Sequence, residues 1–225
     1  MGISFQRLRM ASLADRLTKI EALEADLPRK AAPIIQPGTG MFFVDWYVMG
    51  AAQRTMAQSR GFRAMIETRN FPGAAILLRT QIDTAMRING LRYLDRPEEQ
   101  LSEVFQGEKT FRQLDSWEET DKERPKKMQD VFLRGKLVEE APWIDPVYEK
   151  TSDFVHLSFR PLFSSIYHLD DDTRTISFAI NGEDQTTDES DYFEICDAFF
   201  DVTKLTGTFI LAILTGRHGC GEADG

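Results

Sequence analysis

Two long apolar segments stand back to back around one short break, and that arrangement constrains the fold more than anything else in the chain. Residues 41–69 open with Phe42, Phe43, Trp46, Tyr47 and Met49, and continue with Arg54, Arg60, Arg63 and Arg69. Residues 73–94 carry Ala74, Ile76, Leu77, Leu78, Ile82, Met86 and Leu91 at helical spacing. Between them lies Asn70-Phe71-Pro72, an N-capping residue followed by a proline suited to a first helical turn. Two helices joined so tightly must fold back on each other as an antiparallel αα-hairpin.

The flanking segments extend the helical reading. Leu8, Leu13, Leu17, Ile20, Leu23 and Leu27 form an apolar stripe over residues 4–26, and Pro28 is expected to end it. Residues 28–40 hold three prolines and two glycines, so they read as an extended linker. Shorter helices are expected over 97–107 and 126–140, another beginning near Pro146, and a last one over 190–215. Thr175 to Ile180 alternates like a strand, and Asn181-Gly182 is a hairpin signal, with a weak returning arm at 183–187. The expected fold is all-α: an antiparallel helical bundle over 41–215 with a small β-hairpin near 175–187. A helical arm and linker precede it at 1–40, and a flexible tail follows at 216–225.

Charge and cysteine usage narrow the function classes. The net charge is −9, which gives no long-range help toward nucleic acid, although local basic patches can still form. The two cysteines, Cys196 and Cys220, make no C-x-x-C pair, so a cysteine-based zinc site is not expected. Cys196 reads as a small core residue. The N-terminus lacks the apolar core of a secretory signal, and the apolar run 205–214 is too short to span a bilayer. These features read as a cytoplasmic chain with no membrane contact and no cofactor. Asp170 to Asp172 read as a solvated loop, and His218 with Cys220 as an incidental pair in a glycine-rich tail.

The chemistry-bearing residues concentrate in Tyr148 to Arg160. Tyr148, Ser152, His156 and Arg160 follow one another at i, i+4 and share one helix face, until Pro161 ends or bends the helix. His156 has two functional readings, a general base near neutral pH or, protonated, a phosphate donor. Ser152 and Tyr148 can orient a substrate or a water, Arg160 can stabilise developing negative charge, and Asp153 can fix the imidazole tautomer. The alternative is a half-buried histidine satisfied by a neighbouring helix. A second row, Arg79, Asp83 and Arg87, lies inside an apolar helix, where charges need partners. It reads either as an intrahelical ion pair tethering two helices or as one wall of the pocket that His156 faces.

Two segments, AAILLRTQIDTAMRINGLRYL and YEKTSDFVHLS, followed by a small hairpin and a last helix, resemble the largely uncharacterised bacterial helical proteins related to the HEPN superfamily. The resemblance runs over roughly 41–215. It implies a helical bundle, often dimeric, and for many members a metal-independent ribonuclease of a toxin–antitoxin or phage-defence system. It would make His156 the proton-transfer group, with Arg79 or Arg160 as the cation and Ser152 beside them. Tyr148, Asp83 and Lys150 would line the RNA site. The family's hallmark arginine precedes its histidine by a few residues; here Lys150 holds the nearest matching place. The expected partners are RNA, an antitoxin-like protein and a second copy of the chain. The rival expectation is a non-catalytic homodimeric scaffold or sensor that binds a partner protein or small ligand.

Overall fold

The computed structural model describes residues 12–120, 124–156, 166–180 and 187–219. Among these the chain is predominantly helical, with two small antiparallel hairpins. In order, the elements are α1 (Leu13–Ala31), α2 (Phe43–Glu67), α3 (Phe71–Gly90), α4 (Pro97–Phe105), β1 (Asp115–Glu119) and β2 (Pro125–Lys127). Then come α5 (Asp130–Glu140), α6 (Ile144–Val155), β3 (Ile166–Asp170), β4 (Thr175–Phe178) and α7 (Glu189–His218).

The αα-hairpin is where the sequence places it. Asn70 caps α3 by accepting from the Gly73 amide at 2.9 Å, and Pro72 occupies the first turn. α2 ends with Arg69 in the left-handed region (φ 55°), while the Asn70 amide reaches back to the Met65 carbonyl at 2.7 Å. Arg54 Nε donates to Thr84 Oγ1 at 3.1 Å, and Gln58 Nε2 donates to Thr80 Oγ1 at 3.0 Å. One set of partners climbs as the other descends, so the two helices run antiparallel.

α7 is the central packing partner of both α1 and α3. Its buried face includes Tyr192, Cys196, Phe199, Val202 and Ile210, and Phe199 stacks on Phe62 of α2 with ring centroids 3.9 Å apart. Burial pushes the Cys196 thiol up to about 12, with Asp197 adding to the rise, as suits an inert core cysteine. α7 is also long and apolar enough to cross a membrane by length and composition. About a third of its most apolar stretch is buried against the other helices, and Glu189, Asp191, Glu194, Asp197 and Asp201 charge its first half.

Three expectations are corrected. Pro28 lies inside α1 rather than at its end, because the helix runs on to Ala31 and the Ala32 amide bonds to the Pro28 carbonyl at 2.9 Å. Proline forfeits the bond to the Glu24 carbonyl, but tertiary contacts hold the turn: Leu27 is buried in the core and the Glu24 carboxylate is gripped from α2. α1 therefore shares the common core through Ile20 and Leu27. Second, strand β4 pairs with the preceding β3, joining Leu169 to Ile176 and Asp170 to Thr175. The tight turn holds Asp171 to Arg174, with Arg174 in the left-handed region (φ 51°), so His168 belongs to a strand. Asn181-Gly182 and the arm 183–186 lie outside the described residues. Third, the charged stretch after α4 builds a hairpin the sequence did not announce, closed by a Lys127–Asp115 ion pair at 2.6 Å.

Candidate functional site

α3 packs against both α5 and α6, and this contact brings the two polar rows together. Arg79, Asp83 and Arg87 repeat every fourth residue on α3, and Tyr148 and Ser152 do the same on α6, so each row forms a ridge. The Arg79 guanidinium lies over the Tyr148 ring, its carbon 3.6 Å from the centroid. Its Nε donates to Ser152 Oγ at 3.2 Å, while that hydroxyl donates to the Tyr148 carbonyl at 2.7 Å. Nη1 touches Asp83 Oδ1 at 2.5 Å, an ion contact outside hydrogen-bond angles.

The Tyr148 ring carries a second cation. Arg134 of α5 stands 4.5 Å from the centroid, so two guanidiniums hold one ring. Arg134 is itself paired with Asp145 at 2.6 Å and with Glu149 at 2.5 Å. Burial works against this cation, but the bonds to Asp145 and Glu149 outweigh it and raise its pKa. Farther along α3, Arg87 reaches Asp83 at 3.8 Å and Asp130 at 3.2 Å, and Arg112 completes the chain on Asp130 at 2.5 Å.

This set is electrically closed. Arg79, Arg87, Arg112 and Arg134 are four cations, and Asp83, Asp130, Asp145 and Glu149 are four carboxylates. Each charge is within ion-pair reach of an opposite one; Arg79, Asp83, Arg87, Asp130 and Arg134 are largely shielded from water, whereas Arg112, Asp145 and Glu149 stand at its exposed margin. The arrangement fastens α3, α5 and α6 to one another.

His156 stands apart from it. It is exposed and forms the C-terminal cap of α6, its backbone amide bonding to the Ser152 carbonyl at 3.2 Å. Among the described residues, no hydrogen bond or ion pair joins its ring to Arg79. Arg79 meets Ser152 instead, one turn earlier. The expected alternative, a half-buried histidine held by a neighbouring helix, is therefore not what the structure has. Lys150 is exposed on α6, and Arg160 and Pro161 lie outside the described residues. No group of three or more metal-ligating side chains occurs among the described residues.

Compared with known proteins, the chain matches no family model, no curated protein and no solved structure. The geometry must carry the functional reading alone.

The sequence missed two polar features. Arg134 gave no signal, because its contact depends on how α5 is placed. The other is a clasp around Asp45, which is fully buried at the start of α2. Its Oδ1 accepts from Arg217 Nε at 2.7 Å and lies 2.8 Å from His218 Nε2. Its Oδ2 accepts from the Phe42 amide at 2.9 Å, and Arg217 also reaches Glu98 at 2.6 Å. Burial alone would raise this carboxyl; the bonds from Arg217, Phe42 and His218 prevail and hold it at about 2. A lone aspartate within Phe43-Val44-Asp45-Trp46 was the available signal, since such a charge requires a partner. Arg60, largely exposed, and Arg63, mostly buried, likewise grip Glu24 of α1 at 2.6 and 3.3 Å.

Proposed function

We propose that this chain is a HEPN-like helical protein that works by binding rather than by catalysis. The observation that carries this reading is the four-against-four charge balance around Tyr148. Phosphoryl-transfer catalysis needs cationic donors aimed at charge that develops in the transition state. Arg79 is spent on Asp83, Ser152 and Tyr148, so it serves as a tether between helices.

The surface offered to a partner is aromatic. Phe42 is 60% exposed, Trp46 49% and Phe105 48%, and the Phe43, Trp46 and Phe105 rings lie 5.2–5.8 Å apart. Exposed apolar groups gathered in this way mark contact surfaces. A second copy of the chain is the partner we favour, giving a homodimeric scaffold. The exposure of His156 favours a second reading, the metal-independent ribonuclease in which His156 moves the proton.

One set of measurements separates the two. Purified protein, incubated with varied RNAs with and without divalent metal, should leave them intact, and His156→Ala should behave identically. Sedimentation should give a dimer that Trp46→Glu converts to monomer. RNA cleavage that disappears in a folded His156→Ala variant would establish the nuclease and sink the binding reading.

A further inference from the structure

A cleft of about 200 Å³ lies where α1, α2 and α7 meet. Its walls are apolar and come from all three helices: Leu23 and Leu27 from α1, Met56 from α2, Phe200 and Leu211 from α7. Leu27 belongs to the core, whereas Leu23, Met56, Phe200 and Leu211 are only half-buried. Phe200, Lys204, Gly207 and Leu211 follow one another at helical spacing on α7 and all line the cleft, so the lysine stands between the two apolar walls of its own helix. A lysine so placed lays its stem along apolar surface and keeps its ammonium at the mouth, in water.

The ionic groups around this cleft are not balanced as they are around Tyr148. Lys30 and Lys204 line it together with Glu24 and Asp26. Asp26 is held by Arg29 and Lys30, and Glu24 by Arg60 and Arg63, of which Arg63 also reaches Glu21 at 3.2 Å. Lys204 is exposed, and among the described residues it forms no ion pair. Arg29, Lys30, Arg60, Arg63 and Lys204 thus face three carboxylates, Glu21, Glu24 and Asp26. Asp201, one turn before Lys204 on α7, lowers the excess without removing it. The whole chain carries −9, so a surplus of positive charge at one cleft runs against the sign of the protein as a whole.

An apolar sleeve with an uncompensated cation at its mouth calls for a guest with two unlike ends. An apolar cavity of roughly 150 Å³ holds a benzene ring, so this cleft takes a ring with a few further atoms. The ammonium is a compact point charge, which selects the sign of the other end. We propose that the α1–α2–α7 cleft binds a small amphipathic anion, its apolar body between Leu23, Met56, Phe200 and Leu211 and its carboxylate paired with Lys204. Such a ligand requires neither the dimer nor the exposed histidine, so its failure to bind would leave both readings above standing.

The test uses the full chain and 3-phenylpropionate as probe, followed by calorimetry or amide chemical shifts. Two controls run in parallel: 3-phenylpropanamide, which lacks the charge, and acetate, which lacks the apolar body. The probe should saturate, the amide should bind about fivefold more weakly, and acetate should not saturate. Lys204→Gln, at an exposed position, should weaken the probe about fivefold and leave the amide unchanged, and added salt should weaken the probe alone. Gly207→Leu should abolish binding of both, because a Cβ at Gly207 meets nothing nearer than Leu27 Cδ1 at 3.8 Å and a longer side chain fills the cleft. Its melting temperature reports that the variant folds, and if it does not, Lys204→Gln decides alone. The proposal is overturned if 3-phenylpropionate does not saturate or if the amide binds as tightly. It is equally overturned if Lys204→Gln, or a folded Gly207→Leu, leaves the affinity for 3-phenylpropionate unchanged.

Discussion

Replacing Asp45 by asparagine tests the clasp between the start of α2 and the end of α7. The substitution keeps the shape and removes the charge that Arg217 and His218 face. The magnitude follows from the carboxyl itself: held at about 2 against an ordinary 3.8, it contributes about 2 kcal/mol at neutral pH. That figure already contains the loss of the bonds from Arg217 and His218, and the Arg217–Glu98 bond at 2.6 Å keeps the cation paired in the variant. About 2 kcal/mol corresponds to roughly 4–8 °C in melting temperature for a chain of this size. Because the folded value is the lower one, the contribution is fully present above the unfolded pKa and is lost as pH falls through about 2. Urea unfolding of both proteins at a series of pH values should show a constant gap from pH 7 to about 5 that closes toward pH 2. A gap below about 1 kcal/mol at pH 7, or one that persists undiminished at pH 2, would refute the reasoning.

Two further substitutions probe the packing around α3. Arg79→Met should cost about 2–3 kcal/mol in thermal unfolding, since it leaves Asp83 with only the longer contact to Arg87 at 3.8 Å and removes the bond to Ser152; adding Asp83→Asn should recover part of the loss. Gly90→Ala should cost about 1–3 kcal/mol in urea, because the new Cβ would lie 2.6 Å from Leu133 Cδ2 and 3.2 Å from Met128 Cε; no loss would mean that α5 yields freely.

Local chemistry was legible and remote pairing was not. The break at Asn70-Phe71-Pro72 marked a helix start because cap and proline act within one turn. The Arg79–Asp83 pair was legible because both residues ride on one helix at a fixed spacing. That Ser152 rather than His156 meets Arg79 depends on how α6 slides along α3, and periodicity says nothing of such offsets. Strand β4 was visible in its alternation, but its pairing with the preceding β3 was not. The actual turn, Asp171 to Arg174, contains no glycine to advertise it. Pro28 misled for a related reason: one lost backbone bond is a local cost, and Leu27 and Glu24 offset it through contacts far away in sequence.

The central position of α7 has a consequence for the nascent chain. Its face completes the packing of α1 and of α3, yet it is synthesised about a hundred residues after α3 ends. At typical rates of about 5–20 residues per second, the ribosome leaves Leu78, Ile82 and Phe62 without their final cover for roughly 5–20 seconds. Over that interval the half-made hairpin is a client for any chaperone that grips apolar helices.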